Sequence, residues 1–286
     1  MSRRRDLEHH RDSLDEIGEI MGSMKTLAYM ETRKLARFLP AQRAVVDSIE
    51  EVATDFLGFH PGLLPEAADA PPVIILIGSE RGFCGDFNQA LLDRLQQAPY
   101  SPSAPAPRLL VVGRKLHPLL ADDDRVTVFI DGASVAEEVP AVLQQLVSQL
   151  ASLQAGMGRL SLHGLYNGDD DVVLEQLLPP FRQVSRAPVS ASHPPLLNLA
   201  PEAFLLDLAD QYLFAALHRM LYTSLMVENH RRVAHLEGAT QHLDDKCADL
   251  ARRCNVLRQE EIIEEIEVIL LSSASLGDGA SKGSRL

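Results

Sequence analysis

Directly after the apolar run Val73 to Ile77 comes the segment Ser79-Glu80-Arg81-Gly82-Phe83-Cys84-Gly85-Asp86-Phe87-Asn88, whose residue types suit two chemistries. A glycine-rich turn that opens a helix can cradle a phosphate on its backbone N–H groups. A cysteine at a helix start beside an arginine can be held as a thiolate nucleophile. The details argue against both. No Lys-Ser or Lys-Thr pair follows the second glycine, so the segment is not a P-loop, and Gly78, Gly82 and Gly85 do not have G-x-G-x-x-G spacing. A nucleophilic Cys84 needs a base held against it. His117 and His163 lie in other strand–helix units and would reach it only through the fold. The favoured reading is a structural turn, with glycines where the backbone needs positive φ, Arg81 paired to a neighbouring carboxylate, and Cys84 as a small buried side chain.

Ten histidines invite a metal. However, His230, His235 and His242 have no spacing of three or four, which two ligands on one helix face need. His9 and His10 are adjacent and point apart. No metal and no cofactor are expected. Asp122 to Asp124 and Asp169 to Asp171 read as solvated loop tips. Cys84, Cys247 and Cys254 are odd in number and widely spaced, which is no disulfide framework and makes a reducing compartment the default.

The elements that must position these residues follow from length and patterning. The chain has 286 residues, 27 basic against 40 acidic side chains, a formal charge of -13 and 46% hydrophobic residues. That is enough apolar content for a core and too much for a disordered chain. The acidic balance argues against nucleic acid, which needs clustered Lys and Arg. The apolar runs are far below the roughly 20 residues of a membrane helix, and no signal peptide is expected, so membrane association is expected only through partners.

Leu14, Ile17, Met21, Met24, Ala28, Leu35 and Phe38 alternate steps of three and four, laying a narrow stripe along a long helix. Glu31 interrupts it, and Pro40 should kink or briefly break the helix. Leu243, Cys247, Leu250, Cys254 and Leu257 repeat the pattern near the other terminus, and Ile262, Ile266 and Ile269 continue it after a one-residue slip. Two such seams predict an antiparallel coiled coil of long N- and C-terminal helices, with a helix bundle as the alternative.

Between them, strands at Val73 to Ile77, Leu109 to Val112, Val126 to Ile130 and Leu160 to Tyr166 alternate with helices at Phe87 to Leu95 and Ala133 to Leu153. That alternation predicts a parallel, Rossmann-like α/β domain. The expected organisation is an N-terminal helix over residues 1–60 and the α/β domain over 70–185. A Pro-rich linker over 186–201, a C-terminal helix over 202–276 and a disordered tail over 277–286 complete it. Pro99 to Pro107 reads as a surface loop.

These residues resemble a family. Ser79, Arg81, Gly82, Cys84, Gly85 and Asn88 resemble the S-x-R-G-x-C-G-x-x-N signature of the gamma subunit of F-type ATP synthases. Ile20 to Ala28, with Arg33 and Lys34 behind, is similar to that family's N-terminal shaft segment. Glu228 to Thr240 resembles its S-E-x-A-A-R-M-x-A-M-x-x-A-T segment, and Asn255, Arg258 and Gln259 fit its N-x-x-R-Q motif. Departures such as Glu19, Gly22, Asp86, Glu260 and Glu261 resemble a divergent bacterial branch, the alternative ATPases of which several are thought to move Na⁺.

The resemblance implies a rotor shaft without an active site of its own. It implies as partners the alpha and beta catalytic subunits, the epsilon subunit and the membrane c-ring. It implies a peripheral place on the cytoplasmic face of the bacterial inner membrane. Met24, Lys25, Arg33, Lys34, Arg258 and Gln259 are then expected subunit contacts, and Arg81, Gly82, Cys84 and Gly85 structural residues. The readings from other classes are a small Rossmann-like enzyme using Cys84 and Arg81, and a free-standing coiled-coil scaffold.

Overall fold

Leu7, Leu14, Met21, Ala28 and Leu35 stand seven apart, and seven-residue steps return to nearly one face of a helix. This stripe organises helix α1, Arg3–Phe59. The computed structural model describes residues 3–63, 70–97, 106–181, 193–194 and 196–281, with the backbone alone over 272–281. Its elements are α1, β1 (Pro72–Ile77), α2 (Phe87–Gln97), β2 (Arg108–Val112), β3 (Val126–Ile130), α3 (Val139–Met157), β4 (Ser161–Asn167), β5 (Val172–Leu178) and α4 (Pro201–Ser281). The chain divides into two compact units, one of Met1–Lys25 with Leu236–Leu286 and the other of Thr26–His235.

In the first unit the two helices run antiparallel. Arg4 Nε donates to Glu261 at 2.7 Å, Arg11 lies within electrostatic reach of Cys254, and Asp15 accepts from the Cys247 thiol. Met21, Leu250 and Cys254 are buried on the seam, with Leu243, Cys247 and Leu257 half-buried. Ile17, expected on the seam, is 45% exposed. Ile262, Ile266 and Ile269 do not continue the seam either and are exposed. The register explains this, because Arg4 already meets Glu261 and the following turns of α4 extend past the start of α1. The helix also runs through Gly277 to Ser281, where a disordered tail was expected. A glycine costs a helix only about 1 kcal/mol and does not sterically forbid it. Residues 282–286 lie outside the described set.

The second unit holds a five-stranded sheet of order β3-β2-β1-β4-β5. β1 pairs in parallel with β2 and β4, and β2 with β3. β5 pairs antiparallel to β4, so the sheet is mixed where a parallel one was expected. The reason is the connection. Residues 168–171 close a tight turn, with Gly168 N–H on the Asp171 carbonyl at 2.8 Å, and so short a link leaves no room for a crossover helix.

Both faces of the sheet are covered. Val73, Ile75 and Ile77 pack with Leu110, Val112, Leu162 and Tyr166 beneath α1, α3 and α4. Ile74 and Leu76 pack with Leu109, Val111 and Leu165 beneath Phe87, Leu91 and Leu95 of α2. This period of two, apolar on both sides, is why β1 reads as an unbroken hydrophobic run. α4 crosses close at Gly164, where a Cβ would stand 2.0 Å from Met220 Cε.

Three local expectations differ from the structure. α1 is unbroken across Pro40, because Leu35, Leu39 and Val46 are buried on either side and hold the flanking turns. Phe38 is 48% exposed, since the buried stripe steps from Leu35 to Leu39 rather than to Phe38. α3 begins at Val139 rather than Ala133, with Pro140 in its first turn, where a missing N–H costs nothing. Of the expected linker over 186–201, residues 186–192 and 195 lie outside the described residues, as does most of the loop Pro99 to Pro107.

Candidate functional site

The segment after β1 is held in shape mainly by α4. Ser224 Oγ lies 3.5 Å from the Ile77 carbonyl. One turn on, the Glu228 carboxylate accepts from the backbone N–H of Glu80 at 3.4 Å and of Arg81 at 3.3 Å. One further turn on, Arg232 pairs with Glu228 and donates from Nε to the Gly82 carbonyl at 3.1 Å. Its Nη1 donates to Asn229 Oδ1 at 2.7 Å, and Asn229 in turn donates to the Leu225 carbonyl. Glu228 and Arg232 are only 3% and 4% exposed. Burial pushes the Glu228 carboxyl up, while Arg232 and the two amides pull the other way.

The rest of the segment is tied down locally. Ser79 N–H donates to Asn88 Oδ1 at 3.0 Å, and Asn88 Nδ2 returns a bond to Ser79 Oγ at 2.9 Å. The buried Glu80 carboxylate accepts from the N–H groups of Arg114 and Gly132, gathering the ends of β1, β2 and β3. Gly113 allows this approach, because it has φ 105 and a Cβ there would sit 2.6 Å from the Gly78 carbonyl. Positive φ in the segment itself falls at Phe83 and Gly85, not at Gly82.

The structure brings Arg81, Gly82, Cys84 and Gly85 to this clasp in ways the sequence only partly indicates. The Arg81 side chain is exposed, and its backbone N–H, not its guanidinium, meets the carboxylate. The expected pairing of the Arg81 side chain is therefore replaced by Arg232, which approaches Glu228 from the same helix. Cys84 is buried, its Sγ 3.7 Å from the Arg81 carbonyl, and burial pushes its thiol up, away from the thiolate a nucleophile needs. His117 packs against Phe129 with ring centres 4.5 Å apart, His163 sits in β4, and neither hydrogen-bonds Cys84 among the described residues. No group of three or more His, Cys, Asp or Glu is placed to hold a metal among the described residues.

Of the expected contact residues, Lys34 is engaged within the second unit, pairing with Glu137 and, at 3.6 Å, with Glu31. Glu31 also accepts from Ala136 N–H at 3.2 Å, which gives the acid that interrupts the apolar stripe a partner. The exposed Arg33 lies over the Tyr29 ring at 6.0 Å. Met24 and Lys25 are half-buried on α1, and Arg258 and Gln259 are exposed on α4. Glu228 and Arg232 carry the clasp, yet sequence reasoning gave them no role. Their signal was a Glu and an Arg four apart on a helix, set between Leu225, Val227 and Leu236.

The sequence profile of the ATP synthase family matches residues 3–276. The ATP synthase gamma chain of Phenylobacterium zucineum is 25% identical, over 92% of this chain and 97% of its own. That of Clostridium perfringens is 23% identical, over 90% of this chain and 93% of its own. Among solved structures, a chain of the Euglena gracilis mitochondrial ATP synthase rotor superposes with a TM-score of 0.64 at 14% identity, covering 91% of this chain and 98% of that one. A chain from the central stalk and c-ring of the Tetrahymena thermophila enzyme gives 0.54 at 20% identity, covering 77% and 99%.

Proposed function

The chain belongs to the ATP synthase gamma family, and from that membership we infer that it is the central-stalk rotor subunit of an F-type ATP synthase. The observation that carries this reading is the match over residues 3–276, which includes both long helices and the sheet between them. The partners on this reading are the alpha and beta catalytic subunits, the epsilon subunit and the c-ring. No helix among the described residues is long and apolar enough to cross a membrane, and the subunit sits peripherally in its membrane complex. Its place on the cytoplasmic face of a bacterial inner membrane is part of the proposal.

The work is mechanical. Driving a catalytic site almost wholly from one state to another takes a differential interaction of about 5.5 kcal/mol. A shaft supplies it only when its faces differ and it resists deformation. Arg258 and Gln259, exposed on α4, are proposed to meet a beta subunit, and Met24, Lys25 and Arg33 to contribute contacts along α1. Lys34 contributes through its tie to Glu137. Arg81, Gly82, Cys84 and Gly85 keep the sheet domain fastened to α4 through the Glu228–Arg232 pair. The test is affinity purification of the tagged chain from its native membrane. Catalytic ATPase subunits should come with it and its depletion should uncouple ATP hydrolysis from ion movement, whereas isolation as a lone chain would refute the reading.

A further inference from the structure

The sheet in the unit of Thr26–His235 has two edges, and they are built differently. β5 carries Glu175, which takes the Tyr166 hydroxyl at 3.2 Å and pairs with Arg219 of α4. A charge turned back into the fold is one of the devices that keep an edge from pairing with another chain. β3, Val126-Thr127-Val128-Phe129-Ile130, has no charged residue and no proline. Its one irregularity is the register shift that leaves Thr127 without a paired residue on β2, a bulge near the entry of the strand.

The Ile130 carbonyl accepts from the Gly113 N–H at 2.9 Å, so Ile130 turns its backbone groups toward β2, as does Val128 two residues before it. Phe129 between them turns its N–H and C=O outward, and no backbone group meets them among the described residues. An unpaired amide and carbonyl on a strand edge are a template for another strand. Beside this edge runs a groove of about 340 Å³, with Val128 and Ile130 on one wall and Gln144, Gln145, Ser148 and Gln149 of α3 on the other. No charged group lines it, so it suits apolar or hydroxyl-bearing side chains from alternate positions of an added strand. The two ends of β3 differ. Past Ile130, Asp131 pairs with Arg114 at 3.2 Å. Ahead of Val126, the three carboxylates Asp122, Asp123 and Asp124 stand beside one arginine, Arg125, which holds Asp123 at 2.7 Å. Asp122 and Asp124 are exposed.

We propose that β3 is a docking edge for an extended segment of a neighbouring subunit, which adds to the sheet as a further strand through the Phe129 amide and carbonyl. That segment is uncharged where it crosses the groove and carries a Lys or Arg at the end lying over Asp122 and Asp124. Backbone pairing supplies the hold, and the groove and the acidic end supply the choice of partner. The proposal rests on the rotor reading for the presence of a neighbour and on this edge for the neighbour's chemistry.

The experiment is amide hydrogen exchange of the segment 124–131, in the purified full chain and in the complex that co-purifies with it. Exchange should slow by about tenfold or more in the complex. Phe129→Pro removes the outward N–H, which an edge strand tolerates, and Phe129→Leu removes the ring but keeps the N–H. The two variants should melt alike as single chains. Native mass spectrometry of the complexes should show full subunit complement with Phe129→Leu and several-fold lower retention of one subunit with Phe129→Pro. Asp122→Asn with Asp124→Asn should weaken retention of that same subunit and lessen its dependence on salt. Catalytic subunits that co-purify with a segment exchanging as fast as in the single chain overturn the proposal and leave the rotor reading standing. Isolation of the chain without catalytic subunits overturns both. Equal retention in the Leu and Pro variants overturns the strand pairing. Exchange that slows in the single chain as its concentration rises makes the occupant a second copy, which also overturns it.

Discussion

Glu228 and Arg232 stand one helical turn apart on α4, and every oxygen of the first and every nitrogen of the second has a partner. Glu228 takes the N–H groups of Glu80 and Arg81, and Arg232 takes Asn229, the Gly82 carbonyl and Glu228 itself. A buried pair so fully bonded holds a loop in one shape, because each partner removed strands another.

Glu228→Ala should cost about 3–5 kcal/mol by leaving Arg232 buried and uncompensated. Glu228→Leu combined with Arg232→Met should cost less than the single change, since it removes both charges. Urea unfolding followed by circular dichroism distinguishes the two, and a double variant worse than the single would show that the charge is not what matters.

Glycines in the same region should differ in tolerance. Gly113→Ala meets the Gly78 carbonyl at 2.6 Å in a left-handed backbone, so strain of about 1–2 kcal/mol adds to overpacking of about 1–3 kcal/mol. Gly82→Ala meets nothing nearer than Lys115 Cε at 3.7 Å and should change stability by no more than about 1 kcal/mol. Thermal melts of the two variants, with similar losses at both positions, would contradict this ordering.

His163 and His218 are each lowered by burial, and each has a buried ring nitrogen without a hydrogen-bond partner. Unfolded histidine takes a proton near pH ~6.5, and the folded rings take it only at lower pH. Their contribution is whole above that pH and is lost as pH falls through the folded values. The urea midpoint should therefore fall between pH 7.5 and pH 5.5. Adding His163→Gln and His218→Gln should flatten the fall, and an equally steep fall would assign it to other groups.

On the rotor reading, Arg258→Ala should leave the complex assembled but slow ATP turnover, since it removes a contact and no packing from this exposed site. A cysteine at Gln259 cross-linked to the neighbouring beta subunit should stop multi-turnover hydrolysis, and reduction should restore it. Turnover at the unlinked rate in the cross-linked complex would mean that this segment does not rotate against beta.

How far the fold could be read ahead of the structure depended on the kind of signal. β1 and β2 were legible because strands buried on both faces are continuous apolar runs, and the edge strand β3, with Thr127 and Phe129 exposed, was legible from its short β-branched stretch. β5 was not, since Val172–Leu178 carries Glu175 and Gln176 amid apolar residues without alternation, and only its short turn fixes it against β4. The seam of α1 was legible as a repeat but not as a face. After Leu35 the reading took a step of three to Phe38, whereas contact with the core selects Leu39, a step of four. The clasp was the least legible, because Glu228 reaches backbone amides 147 and 148 positions away, and a backbone amide has no side-chain signature.

The amides of Glu80 and Arg81 are the kind of donors that hold phosphate in other folds, and here they are filled by a ligand the chain carries with it. A tethered, oriented group competes at an effective concentration that solutes at cellular levels do not match. On the rotor reading, which sets the chain amid phosphate, ADP and ATP, the loop should therefore hold its shape through swings in their levels.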